Sequence, residues 1–132
     1  MLDTYKILTV THRQINVSGI GNFVVKYDSN EELQHRLQAL KDTFDFDEFM
    51  YLATCNRVMY FFSTKADIDA TFQYNFFKSI NPDLDASQIE KSIKLYEGES
   101  ALQHLFEVAA STDSMVIGER EILRQLREAY SQ

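Results

Sequence analysis

Cys55 is the one cysteine in the chain, and it stands in the polar tetrapeptide Thr54-Cys55-Asn56-Arg57 between two apolar runs, Phe49–Ala53 and Val58–Phe62. A free cysteine in a core packs as a small apolar residue, but a polar loop is a poor place to hide one. As a nucleophile it needs help, because with an ordinary pKa near 8.5 only about 3% of a thiol is ionised at pH 7. Arg57 has three readings by residue type: a neighbour that favours the thiolate, a bidentate clamp for a substrate carboxylate, or a solvated turn cation. His104 lies one position past the apolar face of Leu102, Leu105 and Phe106, which suits either a structural or a proton-transferring role. His12 and His35 are alternatives by type alone, and His35 falls in an ordinary amphipathic helix. Gly118-Glu119-Arg120-Glu121 opens a helix with acids in its first turn, which pairing with the helix dipole explains without any function. Gly19-Ile20-Gly21 is no dinucleotide fingerprint, since the third glycine position holds Val24.

These residues need a scaffold. Tyr5–Thr11 is rich in β-branched and aromatic types and reads as a first strand, followed by a loop at Gly19 and Gly21. Ser29 as N-cap, acids at Glu31 and Glu32, and Leu33, Leu37, Leu40 and Phe44 at helical spacing predict an amphipathic helix. The two runs flanking Cys55 read as central strands, because both are nearly continuously apolar, joined by a four-residue hairpin loop. Ala66–Ile80 reads as a helix stopped by Asn81-Pro82. Ile89–Tyr96, with Ile93 and Leu95 alternating against Lys94 and Tyr96, reads as a fourth strand ending at Gly98. Glu99–Ala110 is helical, and a last helix runs from about Glu119 through Ile122, Leu123, Leu126 and Tyr130 to the end. The order predicts an α+β fold: a ferredoxin-like βαββαβ antiparallel sheet with helices on one face and additional C-terminal helices.

The bulk properties set limits. A chain of 132 residues with 45% hydrophobic and 25% charged residues suits one compact domain with one core and excludes collagen-like, low-complexity and disordered classes. Its net charge of −7 argues against indiscriminate nucleic-acid coating, leaving room for a specific nucleic acid gripped by a few placed cations. A single cysteine excludes an internal disulfide and a Cys-rich zinc site. The opening residues have no basic region ahead of an apolar stretch, and no apolar run approaches the length of a membrane span. The expectation is a protein of the reducing cytoplasm that does not engage a membrane.

Three segments carry a resemblance. Thr54-Cys55-Asn56-Arg57 within its apolar hairpin, His104-Leu105-Phe106-Glu107-Val108-Ala109, and Asp113-Ser114-Met115-Val116-Ile117-Gly118-Glu119 follow in this order, and Thr11-His12-Arg13 follows the first strand. Together they resemble the N-terminal catalytic domain of the glutamyl-tRNA reductase family over almost the whole chain. The resemblance implies reduction of glutamyl-tRNA to glutamate-1-semialdehyde with NADPH, the first step of five-carbon tetrapyrrole synthesis. By it, Cys55 would attack the ester and form a glutamyl thioester, which accepts hydride more readily than an ester. His104 would assist proton transfer to the departing ribose oxygen. Thr54, Asn56 and Arg57 match the substrate-recognition loop, and Ser114, Glu119, Arg120, Glu121 and Gln125 match further substrate-contacting positions. Val58-Met59 stand where the family usually has Thr-Glu, and Arg120, Glu121 and Arg124 replace the usual Pro, Gln and Gly.

The same resemblance implies a catalytic domain over residues 1–112 and, over 113–132, a substrate-contacting segment with the start of a truncated spinal helix. The NADPH and dimerisation domains would then be absent, with no cofactor bound by this fragment. Implied partners are glutamyl-tRNA, a second copy through the missing dimerisation domain, and an aminotransferase that receives the semialdehyde. Two competing expectations are a non-catalytic ferredoxin-like regulatory or interaction domain, in which Cys55 is incidental, and a stand-alone cysteine thioesterase.

Overall fold

The computed structural model describes residues 2–11, 17–54 and 56–110. Strand β1 (Tyr5–Thr11) leads to a short helix α1 (Val17–Ile20) and then to helix α2 (Asn30–Thr43). Strands β2 (Glu48–Thr54) and β3 (Arg57–Ser63) follow, then helices α3 (Ala70–Ile80) and α4 (Ala86–Ser92), strand β4 (Lys94–Glu97) and helix α5 (Glu99–Ala110). The strands make one antiparallel sheet in the order β2-β3-β1-β4.

Side chains alternate across a strand, and residues paired across antiparallel strands share a face. Leu8 and Val10 of β1, Phe49 and Tyr51 of β2, and Val58, Tyr60 and Phe62 of β3 therefore form one face. That face is buried under Leu33, Leu37 and Leu40 of α2, Phe76 and Phe77 of α3, and Ile89 of α4. Aromatic rings fill much of this layer; Phe46 stacks on Phe62 with centroids 4.1 Å apart, and Tyr60 meets Phe76 edge-on at 5.1 Å. The opposite face, with Ile7, Met50, Leu52, Met59 and Phe61, is buried under Ala101, Leu102, Leu105 and Val108 of α5.

The sheet is thus apolar on both sides, which corrects two expectations. The helices do not lie on one face with a single core: two hydrophobic layers sandwich the sheet, and α5 alone among the described helices supplies the second. Nor is β2 central. It is an edge strand, and its continuous apolar run reflects cover on both faces rather than a neighbour on both sides.

Local boundaries differ for identifiable reasons. The helix expected from Ala66 begins at Ala70, because the Asp69 side chain accepts from the Phe72 amide at 2.8 Å and caps it there. The strand expected over Ile89–Tyr96 is split: residues 86–92 are helical, closed by a reciprocal capping box between Asp85 and Gln88, and the strand covers Lys94–Glu97. The loop expected around Gly19 and Gly21 contains α1 and a 3₁₀ turn over Gly21–Phe23 that buries Ile20 and Phe23. Ser29 caps α2 as expected, accepting from the Glu32 amide. The last helix predicted from Glu119 lies outside the described residues.

Candidate active site

At one end of the α5-covered face the sheet turns polar. Thr54 pairs with Arg57 across β2–β3, and Arg57 pairs with Thr11 across β3–β1, so the three side chains form a row on the same side as α5. The next row inward is Leu52, Met59, Thr9 and Lys94. Pairing of Thr54 with Arg57 leaves only Cys55 and Asn56 to connect the strands, rather than the four residues expected. The Asn56 amide donates to Thr54 Oγ1 at 3.3 Å, a side-chain turn closing around the cysteine position. Thr54 and Arg57 are half-buried and Asn56 is exposed; Cys55 itself lies outside the described residues.

Helix α5 brings the histidine. After β4, Gly98 adopts a left-handed backbone (φ 65°) and donates its amide to the Tyr5 carbonyl at 2.8 Å, turning the chain back over the sheet. Ala101, Leu105 and Val108 recur at helical spacing on the buried stripe, and His104 lies on that stripe's flank, between Ala101 and Val108 in the i, i+3, i+7 series. Its imidazole lies flat against the ring of Tyr96, with centroids 4.2 Å apart and planes 13° apart. Lys94 Nζ is 5.1 Å from the centroid of the same tyrosine, within cation–π range.

The surroundings of the ring favour its neutral form. Burial pushes the His104 pKa below its ordinary 6.5, the Arg57 and Lys94 cations push the same way, and Glu107 opposes them. His104 Nε2 is buried and has no hydrogen-bond partner among the described residues. A neutral imidazole with a buried, uncommitted nitrogen can take or give a proton.

The expected site residues divide sharply. Thr54 and Arg57 lie in the end row of the α5 face with exposed Asn56 beside them, while His104 stacks on Tyr96, two rows further in, and Arg57 acts on it electrostatically. Cys55, Ser114, Glu119, Arg120, Glu121 and Gln125, like His12, lie outside the described residues. His35 is exposed on α2. Tyr96 and Lys94 were missed as neighbours of His104, because in the alternation with Ile93 and Leu95 they read as the solvent side; α5 covers that side.

Residues 8–132 match the family described as glutamyl-tRNAGlu reductase, N-terminal domain. A glutamyl-tRNA reductase of Helicobacter pylori is 32% identical over 133 residues, covering 98% of this chain and 29% of that protein. One from Aquifex aeolicus is 39% identical over 110 residues, covering 77% of this chain and 24% of that protein. This chain belongs to the glutamyl-tRNA reductase N-terminal domain family. A solved glutamyl-tRNA reductase structure from Methanopyrus kandleri matches with a TM-score of 0.56 and 25% identity, over 98% of this chain and 28% of that one. The chain thus spans less than a third of the relatives it matches.

One common nicotinamide-dinucleotide site uses parallel strands joined through a glycine-rich turn into a helix that meets the pyrophosphate. The described residues do not form that arrangement: their sheet is antiparallel throughout, Gly19 lies within a four-residue helix and Gly21 begins a 3₁₀ turn. Among the described residues no helix is long and apolar enough to cross a membrane.

Proposed function

We propose that this chain is the acyl-transfer domain of an NADPH-dependent glutamyl-tRNA reductase, in which Cys55 takes the glutamyl group from glutamyl-tRNA as a thioester. The observation that carries the reading is His104: a neutral imidazole with a buried, unpartnered Nε2, on the face where Thr54 and Arg57 bracket the cysteine. Nε2 accepts the Cys55 thiol proton, and the sulfur attacks the ester carbonyl carbon. Collapse of the tetrahedral intermediate breaks the bond to the ribose oxygen, which leaves with the proton that His104 returns. A depressed pKa suits both halves, since the ring is a free acceptor at neutral pH and a strong acid once protonated. The cations Arg57 and Lys94 favour the thiolate. Arg57 is the clamp for the glutamate side-chain carboxylate.

The dinucleotide-dependent reduction is assigned to parts of the enzyme other than these residues; NADPH, a homodimer and a semialdehyde-accepting aminotransferase belong to the full-length protein. Residues 1–112 form the catalytic unit, and Ser114, Glu119, Arg120, Glu121 and Gln125 in 113–132 contact substrate. The strand order, with α2 crossing from β1 to β2 and β3 inserted between them, supports a ferredoxin-like assignment for the sheet. A free nucleophilic thiol and a tRNA substrate support a location in the reducing cytoplasm.

Incubation with glutamyl-tRNA tests the reading by intact mass. A glutamyl increment is expected on the wild-type chain and none on Cys55→Ser; an equal increment on Cys55→Ser overturns it. Arg57→Ala is expected to weaken preference for glutamyl-tRNA over glutaminyl-tRNA, and an unchanged preference removes the clamp role.

A further inference from the structure

The neighbour that holds His104 has no role in the acyl-transfer chemistry just described. Tyr96 is on β4, paired with Ile7 of the central strand, so its backbone is fixed by the sheet rather than by the helix that carries the histidine. Its ring meets the imidazole face to face at 4.2 Å and 13°, closer than most ring pairs in the aromatic layer across the sheet. Lys94, two residues earlier on the same strand face, places its ammonium 5.1 Å from the tyrosine centroid, packing the platform from its own strand. On the histidine, Nε2 makes no hydrogen bond among the described residues that would hold the ring in plane. Orientation of a histidine normally rests on a bond from one of its nitrogens; here a flat aromatic surface supplies it for the nitrogen left free.

We propose that Tyr96 is a positioning residue for His104, a platform that fixes the imidazole plane and hence the direction of the Nε2 lone pair on the α5 face. The proposal rests on the reading that His104 exchanges a proton with Cys55. The hydroxyl is not needed for this role; the ring face is. Replacing tyrosine with phenylalanine keeps the platform, whereas leucine keeps bulk and loses the flat surface. The charged groups facing the histidine are Arg57 from β3, Lys94 from β4 and Glu107 on α5 itself. None is substituted by either change; Tyr96→Leu does release Lys94 from the ring face, so the His104 titration midpoint is read in the same samples to separate an effect on charge from one on orientation.

The test combines glutamyl transfer from glutamyl-tRNA to the 132-residue chain with NMR of the His104 ring protons. In the wild type those protons are expected upfield of ordinary histidine positions through the ring current of Tyr96; their absence from that region in the folded chain overturns the proposal without any variant. Tyr96→Phe is expected to retain the upfield shift, the titration midpoint and a transfer rate within about twofold of wild type. Tyr96→Leu is expected to lose the shift and to slow transfer about tenfold, the scale of one lost aromatic pair. Wild-type transfer by Tyr96→Leu, or equal loss by Tyr96→Phe, overturns it. His104→Ala separates the two levels: if it transfers as fast as wild type, the acyl-transfer reading fails and the proposal with it. If it is slow while Tyr96→Leu is fast, only the platform role fails.

Discussion

Arg57, the first residue of β3, acts electrostatically on His104, in the middle of α5, and is the largest charged influence on its protonation. Burial comes first in lowering the pKa and the guanidinium second. Arg57→Gln is therefore expected to raise the His104 midpoint while leaving it below 6.5, since burial remains. Histidine NMR titration measures this, and a midpoint that stays put or falls would show that the guanidinium does not reach the ring.

The same shift links stability to pH. The folded-state pKa of His104 lies below its unfolded value of 6.5, so between the two the unfolded chain binds more protons and stability rises with pH. The contribution is fully present above about 6.5 and is lost as pH falls through the folded midpoint. Urea midpoints measured from pH 7.5 down to 5 are expected to drop in the wild type and to drop less in His104→Gln. Parallel pH profiles would contradict the assignment.

Ser63 is buried on the α5 face, and its hydroxyl has no hydrogen-bond partner among the described residues. An unsatisfied buried polar group costs about 1–3 kcal/mol. Ser63→Ala is accordingly expected to leave the chain unchanged or stabilise it by up to about 1 kcal/mol, visible as a higher Tm. A fall of more than that would mean the hydroxyl is bonded in solution.

On the other face, fully buried Tyr60 donates its hydroxyl to the Phe23 carbonyl at 2.5 Å, and the Val25 amide donates to Tyr51 Oη at 3.0 Å. Burial raises both tyrosine pKa values, that of Tyr51 to about 12, so neither ionises near neutral pH. Tyr60→Phe leaves the Phe23 carbonyl without this donor and is expected to cost about 1–3 kcal/mol in chemical denaturation. Unchanged stability would indicate that water replaces the hydroxyl.

Gly98 turns β4 into α5 at φ 65°. Gly98→Ala forces an L residue into the left-handed region, a cost of about 1–2 kcal/mol, and is expected to lower Tm. Because the turn sets where α5 begins, the His104 ring-proton positions are expected to move as well; a shift in Tm alone would show that the helix register is set by its apolar stripe instead.

Much of this was legible before any coordinates. Ser29, the leucine spacing of α2 and the β-rich run at Tyr5–Thr11 gave their elements directly, since local capping and periodicity carry their own signals. The Asp85–Gln88 capping box was equally local but stood just ahead of Ile89, where the alternation that assigns a strand begins. What periodicity could not show was cover: β2 looked central and Tyr96 looked solvent-facing because both depend on α5 folding back over the second face. In the site, motif order brought Cys55, Arg57 and His104 into view, whereas the tyrosine under the histidine and the orphaned Nε2 are facts of three-dimensional packing.

The central place of β1 bears on how the chain assembles during synthesis. Its Ile7, Leu8 and Val10 are fully buried, yet one neighbouring strand is β3 and the other is β4, with the Lys6–Glu97 pair closing 91 residues of separation. Residues made first are thus enclosed last. While β2, β3 and one edge of β1 can pair as soon as Ser63 has left the ribosome, the other edge of β1 stays uncapped until Glu97 has followed, an interval of several seconds at about 5–20 residues per second. Chaperone capture of nascent chains should fall off once β4 and α5 are clear of the exit tunnel.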